Sequence, residues 1–501
     1  MLDPTREQPL FLQLAGAIAD DIRRGRLKPG DALPGSRELA ECLGINRNTV
    51  VAGYGELAAE GLIHTRIGGG TFVADSVNVP FAPHAPSAEY PTRPTYPLMP
   101  PVYQLPPIGA PAPGALNICN GMPDVRLFPA AAMARAFRRA IGQRGRALLT
   151  YADPCGHPRL RKELAAMLAS TRALPVTPNN LMITRSIEQA IDLVARMLLQ
   201  PGDVVVVEAF GYPPAWSVLK LAGARLMPLP LDDDGLDIGA LEALLARQQV
   251  RAVFLTPHHQ FPTTVVMSHA KRLRLAELAL RHGFAIIEDD YDHEFHYAGK
   301  PVLPIASGAG RANVIYIGSL SNLLAPGISS GFVVAPAPVF ERLASLRAAS
   351  DAQGDAAMEC AIAELFEDGE LLRHVRRMRR IYAARRDALA ASLTRHLGSA
   401  VTFRTPAGGT GLWLRVDDAI EMAAWSVAGD REGVQFFGAG RYEFFQREQP
   451  FMRLGFSYHD EAELDEAVRR MARALAQSRS SAVRSARKAT TPQATQAASH
   501  G

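Results

Sequence analysis

VVVVEAF, residues 204–210, is an apolar run of strand length that ends near an acid. Three runs of the same kind follow: AVFLTP at 252–257, FAIIEDD at 284–290 and VIYIGS at 314–319. Amphipathic helical stretches alternate with them. Near-continuous apolar strands suit a parallel sheet, whose two faces are both covered by crossover helices. The alternation predicts an α/β domain over residues 115–477 with a mainly parallel sheet. A chain of 501 residues exceeds one ordinary core, so further domains are expected.

Upstream, residues 76–114 hold 12 of the 37 prolines and show no amphipathic period. Proline fixes φ and removes a donor, so an extended, semi-rigid linker is expected. Residues 1–75 are helical in period. Phe11, Leu14, Ala15, Ile18 and Ile22 form one apolar stripe, stopped by Gly25 and the LKPG turn at 27–30. A second helix starts near Ser36, with Gly35 or Ser36 as N-cap, and stops at Gly44. A third starts at the N-cap Asn46. It buries Val50, Tyr54 and Leu57 and leaves Arg47 and Asn48 at its exposed start. The tight GIN turn between these helices is that of a helix-turn-helix, and LIHTRIGGGTFV reads as two strands around a glycine-rich wing. After Gln477 the tail, residues 478–501, carries four cations and no acid, and disorder is expected there.

Composition narrows the function classes. The chain is 48% hydrophobic and 21% charged. No apolar run approaches the roughly 18 residues of a membrane span, and the N-terminus lacks a secretory pattern. The four cysteines are scattered and form no C-x-x-C pair, which suits a reducing cytoplasm and argues against structural zinc; no metal is expected. Residues 1–75 hold 8 Lys/Arg against 10 Asp/Glu. Any DNA contact there must rest on placement of cations, not on bulk charge.

The segments GRLKPGDALPGSRELAECLGINRNTV (25–50) and RIGGGTFVAD (66–75) closely resemble a GntR-type winged helix. The resemblance implies promoter-DNA contacts from Arg37, Asn46, Arg47, Asn48 and Thr49 in the major groove, and from Arg66 and Gly69 in the wing. Surface ion pairs with Glu38 or Glu41 are the plainer reading of Arg37 and Arg47. Gly35 stands where the family usually has a serine, and glycine caps nearly as well.

From residue 115 onward the chain resembles a fold-type I aminotransferase, as joined to a GntR head in the MocR subgroup of regulators. The resemblance runs through NGMPDVRLFP (120–129), YADPCGHPRLRKELA (151–165), TPHHQFPT (256–263), IIEDDYDHEFHY (286–297), HVRRMRRIYAARRDAL (374–389) and MRLGFS (452–457). It implies a larger part over about 115–335 and a smaller α+β part over about 336–477. It also implies a pyridoxal-phosphate site. Asp289 would pair with the ring nitrogen, Tyr291 with the phenolic oxygen, and Tyr212 would stack on the ring. Ser186, Ser319 and Ser321 would face the phosphate, and Arg453 would take a substrate or effector carboxylate.

Against that pattern, Asn322 stands at the Schiff-base lysine position, and an amide forms no Schiff base. Ser329 stands where an arginine would clamp the phosphate. Arg185, Ser186, Ile187 and Glu188 replace a Ser-Gly-Ala-Gln cradle, and Thr264 replaces a loop glycine. Of the six lysines, Lys300 lies nearest the site motifs in sequence, but in a turn. The expectation is a homodimeric, cytoplasmic transcriptional regulator without catalysis. Its aminotransferase-like domain would sense a small ligand, pyridoxal-phosphate-, amine- or amino-acid-like, with any cofactor held noncovalently. A working aminotransferase and a ligand-free dimerisation domain are the alternatives. The seven arginines of residues 373–386 read as a solvated face or as a second DNA-backbone contact.

Overall fold

The computed structural model describes residues 2, 8–66, 69–75, 95–98, 113–119 and 121–489, without the side chains of 144 and 480–489. The expected proline-rich linker, residues 76–114, lies almost wholly outside them. The chain forms two compact units, Met1–Met99 and Pro100–Gly501.

In the first unit the helices are α1 (Leu10–Arg23), α2 (Ser36–Leu43) and α3 (Arg47–Ala59). Strands β1 (Ala32–Leu33), β2 (Ile63–Arg66) and β3 (Gly70–Val73) form an antiparallel sheet in the order β1-β3-β2. The expected stripe is buried at Leu14, Ala15 and Ile22, and it meets Val50, Leu57, Ile63 and Val73 in one small core. Helices α1 and α3 approach closely at Gly53, where a Cβ would stand 3.1 Å from the Phe11 carbonyl oxygen. Gly44 ends α2 at φ 65°, a conformation that disfavours a side chain. The Gly35 N–H donates to Glu38 Oε2 at 3.4 Å, so half of a capping box survives without the serine.

The second unit is built on a seven-stranded sheet. Its strands are β4 (Leu181–Thr184), β5 (Val204–Glu208), β6 (Arg225–Leu229), β7 (Ala252–Leu255), β8 (Ala285–Asp290), β9 (Val314–Ser319) and β10 (Gly331–Val334). Their order is β4-β10-β9-β8-β7-β5-β6, and only β10 pairs antiparallel. Successive residues of each strand enter opposite cores. Val204, Val206, Val253 and Ile286 point to one, and Val205, Val207, Phe254 and Ile287 to the other. The apolar runs are therefore buried on both faces, as a helix-covered sheet demands.

Around the sheet lie α4 (Ala130–Leu148), α5 (Pro158–Arg172), α6 (Ile187–Leu198), α7 (Pro213–Leu221), α8 (Ile238–Leu245), α9 (His269–His282), α10 (Ala337–Asp351) and α11 (Ala356–Glu367). Helix α12 (Glu370–Leu397), strands β11 (Val401–Phe403), β12 (Gly411–Val416) and β13 (Phe451–Gly455), α13 (Met422–Arg431) and α14 (Glu461–Ala489) make the smaller α+β part, with an antiparallel β11-β12-β13 sheet.

Three boundaries differ from the sequence expectation. Helices α10 and α11 belong with the large sheet, not with the small part from 336. Leu343 of α10 sits in the sheet core, and α11 packs on α4 and α5. Leu116 and Asn117 pair with Val434 and Gln435, so the start of this unit joins the small part instead. A chain that enters one layer and leaves through another hides this from a reading in sequence order. The last helix also continues to Ala489, past the expected tail start at 478. No proline or glycine interrupts it before Pro492, and its Ala and Arg residues favour helix. Residues 490–501 lie outside the described set. No described helix is long and apolar enough to cross a membrane.

Candidate functional site

The carboxyl ends of β5, β7, β8 and β9 converge with the small part on a cavity of about 470 Å³. Open α/β sheets bind ligands at this edge. Tyr212, Asp289, Tyr291, Ser186, Ser319, Ser321, Asn322 and Arg453 all line it, as do Glu188 and Ser329. Thr264 and Arg185 are not among the lining residues. Thr264 holds a φ of 62° and donates its N–H to the Gln260 carbonyl at 2.6 Å.

Asp289 lies one residue before the end of the central strand β8 and is 3% exposed. Its Oδ1 has no hydrogen-bond partner. Burial, followed by the nearby Asp290 and Glu188 carboxylates, raises its pKa well above the ordinary value. A cationic ligand group would supply the missing charge. Arg453, on β13, is its chemical opposite. It is 4% exposed, its Nη2 donates to Thr410 Oγ1 at 3.3 Å, and its Nε is unpartnered. Its guanidinium stands 5.1 Å from the Phe261 ring centre. Among the described residues it forms no ion pair. Gly121 and Gly411 let the backbone close on it, since a Cβ at either would come 2.7 Å from the guanidinium.

The start of α6, which also lines the cavity, is occupied by the protein itself. Ser186 caps the helix by accepting the Gln189 N–H at 3.2 Å. Glu188 Oε1 accepts the Tyr212 hydroxyl at 2.7 Å. Arg185 turns away and pairs with Asp351 at 3.0 Å, an acid that also engages Gln189 and Arg347. The Ser329 hydroxyl donates to the Arg185 carbonyl at 2.5 Å, and Ser321 Oγ is tied to Ile328 and Ser330. Asn322 donates from Nδ2 to the Tyr291 carbonyl at 2.9 Å, and the Tyr291 hydroxyl donates to the His259 carbonyl at 3.1 Å.

The residues therefore meet pyridoxal phosphate unequally. The ring end fits, with an orphaned acid beside an aromatic wall. The phosphate end does not fit. Ser329 stands where an arginine clamp would, a carboxylate stands in the cradle, and the hydroxyls of Ser321 and Ser329 are bonded to backbone. Among the described residues no lysine lines the cavity, and Lys300 is exposed in its turn.

In the head, Arg37, Asn46, Arg47, Asn48, Arg66 and Gly69 are all exposed, and Thr49 is half-buried. Asn46 caps α3 by accepting the Asn48 N–H at 2.8 Å. Among the described residues Arg47 reaches only Ser36 Oγ, at 3.4 Å. Neither Arg37 nor Arg47 has an ion pair among the described residues, so their cations remain available. The arginines of α12 divide. Arg385 is buried against Asp124 at 3.0 Å, whereas Arg373, Arg376, Arg377, Arg379 and Arg380 are exposed.

Four histidines went unread in the sequence. His258 and His259 follow β7, His293 and His296 follow β8, and their rings gather behind the cavity. The signal was available, since four of the chain's 13 histidines fall in two short segments at adjacent strand ends.

Residues 115–471 match the family model of class I and II aminotransferases, and residues 10–73 match that of bacterial regulatory proteins of the gntR family. The chain is 31% identical over 473 residues to the probable rhizopine catabolism regulatory protein MocR of Rhizobium meliloti, covering 93% of this chain and 94% of that one. It is 30% identical over 497 residues to the HTH-type transcriptional regulator TauR of Rhodobacter capsulatus, covering 95% and 98%. Among solved structures it is similar to LysN, an α-aminoadipate aminotransferase of Thermus thermophilus complexed with N-(5'-phosphopyridoxyl)-L-leucine. That match has a TM-score of 0.68 and 28% identity, and covers 73% of this chain and 93% of that one.

Proposed function

Since the chain belongs to the class I and II aminotransferase family and carries a gntR-family head, we propose that it is a DNA-binding transcriptional regulator. Its aminotransferase-like domain senses a small amine- or amino-acid-like ligand without covalent chemistry. The cavity carries this reading: among the described residues it is lined by a buried arginine without an ion pair and by an orphaned acid, and by no lysine. A carboxylate seats on Arg453, where a guanidinium fork binds it best. A cationic group seats at Asp289, close to Glu188.

The protein works as a cytoplasmic homodimer that brings two heads to paired half-sites, spaced by about 34–36 Å or multiples of that. The ligand acts only through its different affinity for the competing arrangements of the dimer. Asn322 supports the noncovalent reading, because its amide is engaged with the Tyr291 carbonyl and has no nucleophilic amine.

The experiment is spectroscopic. The full chain, incubated with pyridoxal phosphate, is expected to develop no internal-aldimine absorbance and no lysine adduct after borohydride. A stoichiometric adduct on any one lysine would restore the aminotransferase reading.

A further inference from the structure

We propose that His258, His259 and His296 form a binding site for a divalent transition metal of the zinc class. One donor atom from each ring lies within 4.8 Å of the others. His258 and His259 are 3% and 1% exposed. Both ring nitrogens of His258 and Nε2 of His259 lack any hydrogen-bond partner. Buried imidazoles that merely pack would pass N–H to N between rings or to backbone, and the two nitrogens of His258 do neither. One cation satisfies all three rings at once.

Three further observations fit a metal. His259 Nδ1 is held by Asp292 Oδ1 at 2.7 Å, which leaves the Nε2 lone pair outward. A ligating histidine is oriented by this kind of carboxylate partner. Asp290 and Asp292, 2% and 1% exposed, each keep one oxygen unpartnered, so local charge favours a cation. A second cavity of about 270 Å³, lined in part by His293, His296 and Arg379, gives access from outside.

The neighbouring set of His258, His293 and Asp290 is less suited. Asp290 Oδ2 already accepts from His293 at 2.9 Å and from the Tyr316 hydroxyl at 2.5 Å, and it faces Arg172 at 3.7 Å. A tetrahedral zinc sets nitrogen ligands about 3.3 Å apart, so loading draws the β7 and β8 loops together. Tyr291, whose hydroxyl rests on the His259 carbonyl, places the ligand cavity directly on the moving loop.

The test uses the untagged full chain, purified without metal-chelate chromatography, stripped with a chelator and titrated with Co²⁺. About one ion per chain is expected, with the visible d–d absorption of a tetrahedral N-ligand site that Zn²⁺ then bleaches. Metal should also raise the melting temperature of the stripped protein. His258→Ala and His296→Ala should lose the cobalt band, and His293→Ala should keep it. A stripped wild-type chain that takes up no cobalt saturably overturns the proposal, whatever the variants do. So does a band that survives His296→Ala but disappears in His293→Ala.

Discussion

Arg47→Ala is expected to abolish specific promoter binding while the protein keeps its fold and its oligomeric state. Arg47 opens α3 at its first helical position, exposed, with only a weak 3.4 Å contact to Ser36. Recognition-helix starts present side chains to base edges, and a good bidentate arginine contact discriminates by about 1–3 kcal/mol. A dimer makes that contact twice, so the expected loss is about 2–6 kcal/mol, or roughly 30-fold to more than 10⁴-fold. Alanine is a better helix former than arginine, so the melting temperature should not fall. Arg37→Ala, if it removes a phosphate contact, should instead flatten the salt dependence by about one ion per head. Footprinting and anisotropy at fixed salt decide the matter. A variant that protects the same operator with unchanged affinity would sink the placement of α3 in the groove.

The second large effect is expected at Arg453. Thermal-shift screening against a panel of amino acids and simple amines should first yield a stabilising ligand. Arg453→Ala should then weaken a carboxylate-bearing ligand by about 2–5 kcal/mol, roughly 30-fold to several thousand-fold, because it removes one partner of a buried charge pair. Arg453→Lys keeps the charge without the fork and should recover only part of the affinity. The unliganded variant loses the Thr410 hydrogen bond and the Phe261 contact but no ion pair among the described residues, so its melting temperature should fall only modestly. Calorimetry that finds equal affinity in Arg453→Ala would remove it from the site.

The same titration carries a pH signature. Asp289 has a raised pKa in the folded, ligand-free protein, through burial and then Asp290. The unfolded chain releases that proton first, at about pH 3.9. This group's contribution to stability is therefore full below that pH and is lost as pH rises through the folded pKa. A cationic ligand favours the ionised acid, so binding expels a proton. Affinity should climb with pH up to the elevated Asp289 pKa and then level. Asp289→Asn should remove both the proton release and the slope.

The fold was legible because its signals are periodic. VVVVEAF, AVFLTP, FAIIEDD and VIYIGS all became strands of one sheet, buried on both faces, and the Asn46 cap and Gly44 stop lie where the residues place them. The site residues were legible as a set, since the resemblance puts Asp289, Tyr212 and Arg453 on one cavity. Their partners were not. Nothing local says that Arg185 turns to Asp351, 166 positions away, or that Tyr212 bonds Glu188. The histidine cluster was hidden for the same reason. His258 and His296 meet only because β7 and β8 are neighbours, and pairing is a property of the whole sheet.

The contact between Glu188 and Tyr212 bears on how reversible this architecture is. A lysine introduced at 322 would supply an amine, yet the phosphate cradle would still hold a carboxylate tied to the aromatic wall, and Arg185 would still be committed to Asp351. Each of those bonds stabilises the present arrangement independently of residue 322. Recovering a catalyst from this chain is thus a concerted problem, in which the first several substitutions each weaken a satisfied contact before any of them yields turnover. For the regulator proposed above, this coupling would insulate the chain from drifting back into chemistry on its ligand, a useful property for a protein that is to read a metabolite without consuming it.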